Sequence, residues 1–156
     1  VRYYFVPDSP FSFGVSDGGE LRAMLLAAPA AGHPEVSDRW IRERLKPKEH
    51  VLFDEYKAYL DGNRMKEFGA AREDEVILSF FASAQRGCGR MLMEAFEGAC
   101  HAHGYRSMLL WTDDTCDFSY YYHNGFEEVA KVPTEPTIRG QKLTTYLFRK
   151  PVCASC

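Results

Sequence analysis

The sequence lacks the features that mark several classes of protein. Among its 156 residues there is no C-x-x-C pair, no internal repeat and no apolar run long enough to cross a membrane. No stretch has the pattern of a secretory signal peptide, and positive charge is not in excess, because the net charge is −3. These absences give no reason to expect a disulfide framework, or a membrane or nucleic acid as partner.

The cysteines that are present are odd in number and scattered, and they are Cys88, Cys100, Cys116, Cys153 and Cys156. Such a set is typical of free thiols in a reducing compartment and predicts a cytoplasmic location. Cys100 stands near His101 and His103, but these spacings do not place both histidines on one helical face, so no metal site is expected. An apolar fraction of 46% in a chain of this length predicts a single domain over 1–150, followed by a tail at 151–156.

Short β-favouring runs dominate the first thirty residues. The run Val1–Val6 is ended by Pro7, and the apolar runs on either side of Ser16–Gly19 predict a β-hairpin over Phe11–Ala28. The two glycines of its turn permit the positive φ angles that tight hairpins need.

Two helices are predicted next. The first begins near Ser37, which can cap its first turn, and stops before Pro47. The second has apolar residues at helical spacing from Leu52 to Leu60 and is predicted to break at Asp61–Asn63, where Asp, Gly and Asn follow one another.

The stretch Val76–Phe126 organises the chain, because it combines a strand, a glycine turn, a helix and a second strand. A glycine turn that opens a helix presents several backbone N–H groups and the positive end of the helix dipole, which together bind phosphate. The predicted elements are a strand over Val76–Phe81, a turn over Ala84–Arg90, a helix to His103 with Gly104 as its cap, and strands over Ser107–Thr112, Phe126–Val132 and Lys142–Phe148.

The turn resembles the pyrophosphate loop of the GNAT superfamily of N-acetyltransferases, which reads Gln/Arg-x-x-Gly-x-Gly/Ala between a strand and a helix. Gly87-Cys88-Gly89 matches its second half. Two registers stay open: without a gap the leading Gln/Arg falls on Ala84, and alternatively Gln85-Arg86-Gly87 is the leading segment of a loop two residues shorter.

A second segment is similar to the same family. Leu110–Phe126 resembles the family's next strand, a short helix and its Tyr-x-x-x-Gly-Phe ending, which falls on Tyr121, Gly125 and Phe126. Both segments occur in the family's order. The resemblance implies an α/β (α+β) domain whose central sheet is mixed and mostly antiparallel, is flanked by helices, and has a splayed parallel strand pair at an acetyl-CoA site.

The resemblance also implies a set of residues that bind acetyl-CoA as co-substrate, without a metal. The N–H groups of the loop would hold the pyrophosphate with help from two arginines, a backbone N–H near Phe80–Ala82 would stabilise the oxyanion, and Asp114 stands where many members have an Asn that contacts pantetheine. The implied cofactor-binding residues are Phe80, Phe81, Ala82, Gln85, Arg86, Gly87, Cys88, Gly89, Arg90, Asp114, Phe118 and Tyr121.

Acetyl transfer to an amine needs a neutral amine, although an alkyl ammonium has a pKa of about 10.4, and a proton donor for the leaving thiolate, whose pKa is about 8.5. In the family the donor is often the Tyr of Tyr-x-x-x-Gly-Phe, which implies Tyr121 here. No general base stands out: Glu75, Asp113, Glu55, His123 and a water chain all remain open, and a carboxylate at a strand start such as Glu75 is expected to be solvated. Cys88 and Cys116 are expected to be unreactive.

The implied function is transfer of an acetyl group from acetyl-CoA to the amine of a small molecule or protein, by direct attack in a ternary complex. The alternative is a non-catalytic acyl-CoA-binding or regulatory module with a degenerate site. A mononucleotide-binding loop is disfavoured because the Gly-Lys-Ser/Thr ending is missing. Few residues precede the hairpin where the family has a strand and two helices. If those elements are absent, a homodimer that covers the exposed sheet edge is the expected arrangement.

Overall fold

A computed structural model describes the chain at residues 4, 6–31 and 38–152. In this part of the chain, six strands and four α-helices follow one another as β1 Phe13–Asp17, β2 Glu20–Pro29, α1 Arg39–Arg42, α2 His50–Ala70, β3 Glu75–Ser83, α3 Cys88–Ala102, β4 Ser107–Asp113, α4 Ser119–His123, β5 Glu127–Pro133 and β6 Thr144–Pro151. None of the described helices is both long enough and apolar enough to span a membrane.

The strands form one mixed sheet in the order β1-β2-β3-β4-β6-β5. β3 and β4 are parallel, whereas β1 with β2, β2 with β3, and β5 with β6 are antiparallel. The predicted fold class, a mostly antiparallel sheet with a parallel pair and flanking helices, is therefore confirmed. The chain divides into two compact units, one of 1–34, 71–110 and 150–156 and the other of 35–70 and 111–149.

The first unit contains the predicted hairpin, which is confirmed. β1 and β2 are joined at Asp17 and Glu20, and the two turn glycines, Gly18 and Gly19, have φ of 59° and 81°. Both values are positive, as a two-residue hairpin turn requires. The antiparallel pairing of β2 with β3 then extends from Ala23↔Ser83 to Pro29↔Val76.

β3 extends well beyond the segment that pairs with β4. Its pairing with β4 covers Glu75↔Ser107 to Ile77↔Leu109 only, although β3 continues to Ser83. Opposite β2 the register shifts between Leu26↔Phe80 and Ala27↔Leu78, which leaves Ser79 as the extra residue of a β-bulge. The second half of β3 is thus paired to β2 on one edge, and its described pairing with β4 has already ended.

α3 packs on the first unit through one apolar face, on which Leu92, Phe96 and Cys100 are buried. It ends as predicted at Gly104, whose φ is +78°. The Gly104 N–H bonds the carbonyl of the residue three positions earlier, and the Tyr105 N–H bonds the Cys100 carbonyl at 2.9 Å, which is a Schellman cap.

In the second unit, α2 continues for 21 residues through Asp61–Asn63, so the predicted break there is wrong. The helix is stabilised locally because Asp61 pairs with Lys57 one turn earlier. Asn63 is fully buried, and its side-chain oxygen accepts a hydrogen bond from the Thr145 hydroxyl at 2.7 Å. The residues that resemble a turn in the sequence therefore have pairing and packing roles inside a helix.

Gly62 has a different role, since the loop after β5 packs directly against it. A Cβ at this position would lie 2.6 Å from Pro136 Cδ and 2.7 Å from the Glu135 carbonyl oxygen. We expect Gly62→Ala to lower the free energy of unfolding by about 1–3 kcal/mol, because the loop must move.

Gly69 provides the matched control, because it lies in the same helix with nothing within 4 Å of its would-be Cβ. Gly69→Ala is expected to raise the free energy of unfolding by up to about 1 kcal/mol through helix propensity. Urea unfolding of both variants measures the contrast. Equal effects at the two sites would contradict a close approach at Gly62.

Two predictions concern residues that are not described: Ser37 and most of the run Val1–Val6 lie outside the described residues. α1 is a single turn that begins after Asp38, shorter than predicted. β6 includes Pro151, and the Val152 N–H donates to the Arg106 carbonyl at 2.8 Å, so the ordered chain extends beyond position 150.

Candidate functional site

The glycine turn of the first unit adopts the geometry of an anion-binding helix start. β3 ends at Ser83, and α3 begins at Cys88 with Gly87 as its N-cap. The Ser83 hydroxyl donates to the Gln85 carbonyl at 2.9 Å, which fixes the turn. The predicted strand, turn and helix are thus present, and the helix begins two residues earlier than the predicted Arg90.

Hydrogen bonding within the turn distinguishes the N–H groups that are available from those that are not. The Ala84 N–H donates to the Arg22 carbonyl at 2.8 Å, and the Cys88 N–H donates to the Gln85 carbonyl at 3.2 Å. Within the described chain no intramolecular partner is found for the remaining N–H groups of the turn, those of Gln85, Arg86, Gly87, Gly89 and Arg90. These five donors at the positive end of a 15-residue helix are suited to bind a phosphate or pyrophosphate.

The two arginines of the turn differ. The Arg86 side chain makes no hydrogen bond or ion pair with any described residue, whereas the Arg90 guanidinium lies 2.7 Å from the Glu94 carboxylate. Glu94 raises the pKa of Arg90 further above its ordinary value. Arg86 is therefore the arginine that is available to an anion. Cys88 is buried, in agreement with an apolar filler.

The two glycines of the turn are needed for different reasons. Gly87 has a φ of +89°, in the left-handed region that side chains disfavour. At Gly89 a Cβ would lie 3.2 Å from the Phe81 ring and 3.4 Å from the Ser83 Cβ, so the backbone packs closely on the end of β3.

Gly87→Ala is expected to lower the free energy of unfolding by about 1–2 kcal/mol, since the left-handed conformation is strained for alanine. Gly98 in the middle of α3 is the control, because it has open space around its would-be Cβ, and Gly98→Ala is expected to stabilise by up to about 1 kcal/mol. Thermal or urea unfolding measures both variants. A neutral Gly87→Ala variant would show that the turn tolerates another conformation.

The predicted oxyanion residues lie on the half of β3 that extends beyond its pairing with β4. Phe80, Phe81 and Ala82 are paired to β2 on one edge, opposite Leu26, Leu25 and Met24. Backbone N–H groups of a strand point alternately to its two edges, so part of this segment directs donors away from β2. The oxyanion role of these residues stays a prediction.

The motif around Tyr121 belongs to the second unit. α4 ends at His123, Gly125 has a φ of +78°, and the Phe126 N–H donates to the Tyr121 carbonyl at 3.1 Å. Phe126 is buried, and its ring lies edge-on to the Tyr121 ring at 5.2 Å. Gly125 therefore reverses the chain so that Phe126 packs against Tyr121, which lies four residues before the glycine.

Tyr121 and Tyr122 differ in whether the hydroxyl already has a described hydrogen-bond partner. The Tyr122 hydroxyl donates to Glu128, and Tyr122 is 46% exposed. The Tyr121 ring is largely buried and stacks on Phe148 at 5.3 Å, and its hydroxyl makes no hydrogen bond to the described residues. Burial, and then the charges of Cys116, Tyr120 and Asp117, raise the pKa of Tyr121 above its ordinary value, so this phenol stays protonated.

Phe118 and Asp114, the two other predicted cofactor-binding residues of the second unit, both contact Tyr146. The Phe118 ring stacks on the Tyr146 ring at 4.5 Å. Asp114 accepts hydrogen bonds from the Thr144 N–H at 2.7 Å and from the Tyr146 hydroxyl at 3.0 Å. Its burial acts to raise the pKa, but these donors outweigh it and the pKa of Asp114 lies below its usual value. Both carboxylate oxygens therefore already have protein donors.

Two of the candidate bases have structural partners. Glu75 was expected to be solvated, but it is fully buried, and it accepts hydrogen bonds from the Ser107 hydroxyl at 2.7 Å and the Arg72 N–H at 2.8 Å. It joins the starts of β3 and β4. His123 is exposed, and its Nδ1 contacts the Ser119 carbonyl one turn earlier at 2.7 Å.

The other two candidate bases are also engaged. Asp113 is buried and accepts hydrogen bonds from the Tyr59 hydroxyl and from the Thr115 N–H and hydroxyl. Glu55 accepts a hydrogen bond from the Arg139 N–H. The structure therefore singles out none of the four as a general base.

Glu67 is a buried carboxyl that the sequence did not reveal. It is 2% exposed, and its carboxyl group accepts a hydrogen bond from the Trp111 backbone N–H. Its Oε1 atom has no hydrogen-bond partner among the described residues. The neighbouring Asn63 Nδ2 also lacks one. Burial raises the pKa of Glu67 well above its usual value, against the opposing effects of Arg64 and the Trp111 N–H. The spacing Tyr59, Asn63 and Glu67, four residues apart, marks this face once α2 is known to continue.

No protein-family profile matches the sequence, and no curated protein matches it either. Solved structures with the GNAT fold match most of the chain, so the fold inferred from the two motifs is confirmed. No set of three or more metal-binding side chains occurs in the described ranges.

One matching structure is the ribosomal-protein-S18-alanine N-acetyltransferase from Escherichia coli, with 16% identity, a TM-score of 0.54, and coverage of 93% of this chain and 70% of that one. A Desulfovibrio desulfuricans protein named as an acetyltransferase of the GNAT family has 14% identity, a TM-score of 0.57 and coverage of 91% and 69%. A Salmonella typhimurium protein named as an acetyltransferase, solved with its cofactor acetyl-CoA, has 12% identity, a TM-score of 0.56 and coverage of 93% and 66%. Identities this low establish the shared fold alone.

Proposed function

We propose that the protein is an acetyl-CoA-dependent N-acetyltransferase. The observation that carries the proposal is the turn before α3, where five backbone N–H groups without a partner lie at a helix start in a chain with the GNAT fold. A solved protein of the same fold holds acetyl-CoA, which is the ligand that we propose here. The turn and Arg86 would bind its pyrophosphate.

Tyr121 is the proposed proton donor. The neutral nitrogen of the acceptor attacks the thioester carbonyl carbon, and backbone donors on the second half of β3 stabilise the oxyanion. As the tetrahedral intermediate collapses, the C–S bond breaks and sulfur takes the electron pair. Tyr121 donates its hydrogen bond and then its proton to sulfur, while the nitrogen loses a proton to water. The products are an N-acetyl amide and free CoA thiol, and solvent reprotonates Tyr121.

The direct test incubates the purified chain with acetyl-CoA and single amines drawn from alkylamines, arylalkylamines, amino acids and lysine-containing peptides. Thiol release gives the rate, mass spectrometry identifies an acetylated amine, and a reaction without amine corrects for hydrolysis. An acetylated product supports the proposal. Binding of acetyl-CoA without acetylation of any acceptor would contradict it and would support the non-catalytic acyl-CoA-binding module instead.

A further inference from the structure

Three aromatic rings surround the ring of Tyr121. Tyr120 lies edge-on to it at 5.5 Å, Phe126 lies edge-on at 5.2 Å, and Phe148 stacks on it at 5.3 Å. Tyr120 and Phe126 belong to the same short stretch of chain as Tyr121, whereas Phe148 belongs to β6, an interior strand of the sheet. Of these three contacts, the one with Phe148 therefore fixes the ring relative to the sheet.

The Phe148 ring is itself held firmly. Its side chain is fully buried, and its backbone pairs with Glu128 on β5. The ring also lies edge-on to that of Tyr122 at 4.9 Å. Phe148 thus contacts two adjacent tyrosines of α4, one by stacking and the other by its edge. Because α4 has only five residues and no side-chain cap, these contacts constrain its rotation about its own axis.

The same face of β6 carries a second ring. Tyr146 lies two residues before Phe148, so both side chains point to one side of the sheet, and their rings are 6.2 Å apart with planes 11° from parallel. Phe118 stacks on Tyr146 at 4.5 Å, and the Tyr146 hydroxyl donates to Asp114 at 3.0 Å. Two neighbouring rings of β6 thus support Tyr121 and two of the residues expected to contact acetyl-CoA.

We infer that Phe148 is a positioning residue for acetyl transfer, because its ring fixes the direction in which the Tyr121 hydroxyl points. The inference rests on the proposed function, in which Tyr121 protonates the leaving thiolate. A proton donor must lie within hydrogen-bond distance of its acceptor, and a displacement of about 1 Å can cost on the order of 100-fold in rate. A leucine in place of Phe148 has no flat face on which the Tyr121 ring can stack, so the hydroxyl is free to take other positions.

The test is a double-mutant cycle of Phe148→Leu and Tyr121→Phe, with acetyl-CoA and an amine that the wild type acetylates. In the wild-type chain we expect Phe148→Leu to lower kcat roughly ten-fold or more and to leave the calorimetric affinity for acetyl-CoA within about two-fold. In the Tyr121→Phe chain, which has already lost the donor, we expect Phe148→Leu to change kcat less than about two-fold. Phe148→Met repeats the cycle with an unbranched side chain that adapts to the space, so a folding defect in one variant does not decide the test.

Phe11→Leu is the matched control. Phe11 is also buried, and its ring contacts two others, those of His103 and Tyr105, in the first unit. We expect Phe11→Leu to lower the Tm, as Phe148→Leu does, and to leave kcat within about two-fold of the wild type. Thermal unfolding verifies that each variant is folded at the temperature of the assay.

The outcomes separate this inference from the proposed function. An unchanged kcat in folded Phe148 variants, an equal loss with and without the Tyr121 hydroxyl, or an equal loss in Phe11→Leu would overturn the inference and leave acetyl transfer standing. Absence of turnover with every amine would overturn the proposed function and the inference together. A loss of kcat confined to Phe148 variants that keep Tyr121 supports both.

Discussion

Tyr121→Phe is expected to lower kcat by roughly 100-fold or more and to leave the affinity for acetyl-CoA almost unchanged. Removal of one proton donor typically costs a factor of 100 to 10,000 in rate, and phenylalanine keeps the ring that stacks on Phe148. Steady-state rates give kcat, and calorimetry gives the affinity for acetyl-CoA. A kcat for the variant equal to that of the wild type would contradict the assignment of Tyr121 as the proton donor.

Tyr122→Phe is the matched control, since it removes a hydroxyl from the adjacent position. Its only described hydrogen bond joins Glu128 at the surface. We expect turnover within about three-fold of the wild type, because exposed hydrogen bonds contribute little. The raised pKa of Tyr121 also has a kinetic consequence: a loss of rate from its ionisation is expected only above its ordinary pKa of about 10.

The second large effect is expected at Glu67, in the dependence of stability on pH. Its folded pKa is raised by burial above an unfolded value of about 4.3. Between the two pKa values the folded state holds a proton that the unfolded state has lost, so stability falls as pH rises, by about 1.4 kcal/mol per pH unit. Below the unfolded pKa this cost is absent, and above the folded pKa it is constant.

Glu67→Gln removes the titration and keeps an oxygen for the Trp111 N–H. Its stability relative to the wild type should be flat in acid and should rise with pH above about 4.3. Urea unfolding at several pH values measures the difference, with Glu73→Gln as a control at an exposed position. A difference that does not change between pH 4 and pH 8 would mean that Glu67 is already ionised in the folded protein.

The sheet and the site differ in how far the sequence predicts them. β3, α3 and β4 were predictable because apolar runs of strand and helix periodicity flank a glycine turn. The hairpin of β1 and β2 was predictable because Asp-Gly-Gly stands at its turn. α2 was cut short because Asp61–Asn63 is polar and contains glycine. Only the tertiary structure shows that the glycine accommodates a loop and that the asparagine is buried against Thr145.

For the site, the motif spacing predicts Tyr121 as the proton donor, and the structure adds that the hydroxyl of its neighbour Tyr122 already bonds Glu128. The register of the glycine turn was open in the sequence, and hydrogen bonding now shows which N–H groups have protein partners. The role of Glu67 was not predictable, because a glutamate on a helix differs from its neighbours only through what lies beside it.

Thermal unfolding with and without acetyl-CoA tests the central claim most directly, with ATP and NAD at equal concentration as controls. Ligand at about a hundred times its dissociation constant stabilises the folded state by roughly 2.7 kcal/mol, which moves the Tm by several degrees. We expect this shift with acetyl-CoA and not with the controls. An unchanged Tm at millimolar acetyl-CoA, or equal shifts with all three ligands, would contradict an acetyl-CoA site in this chain.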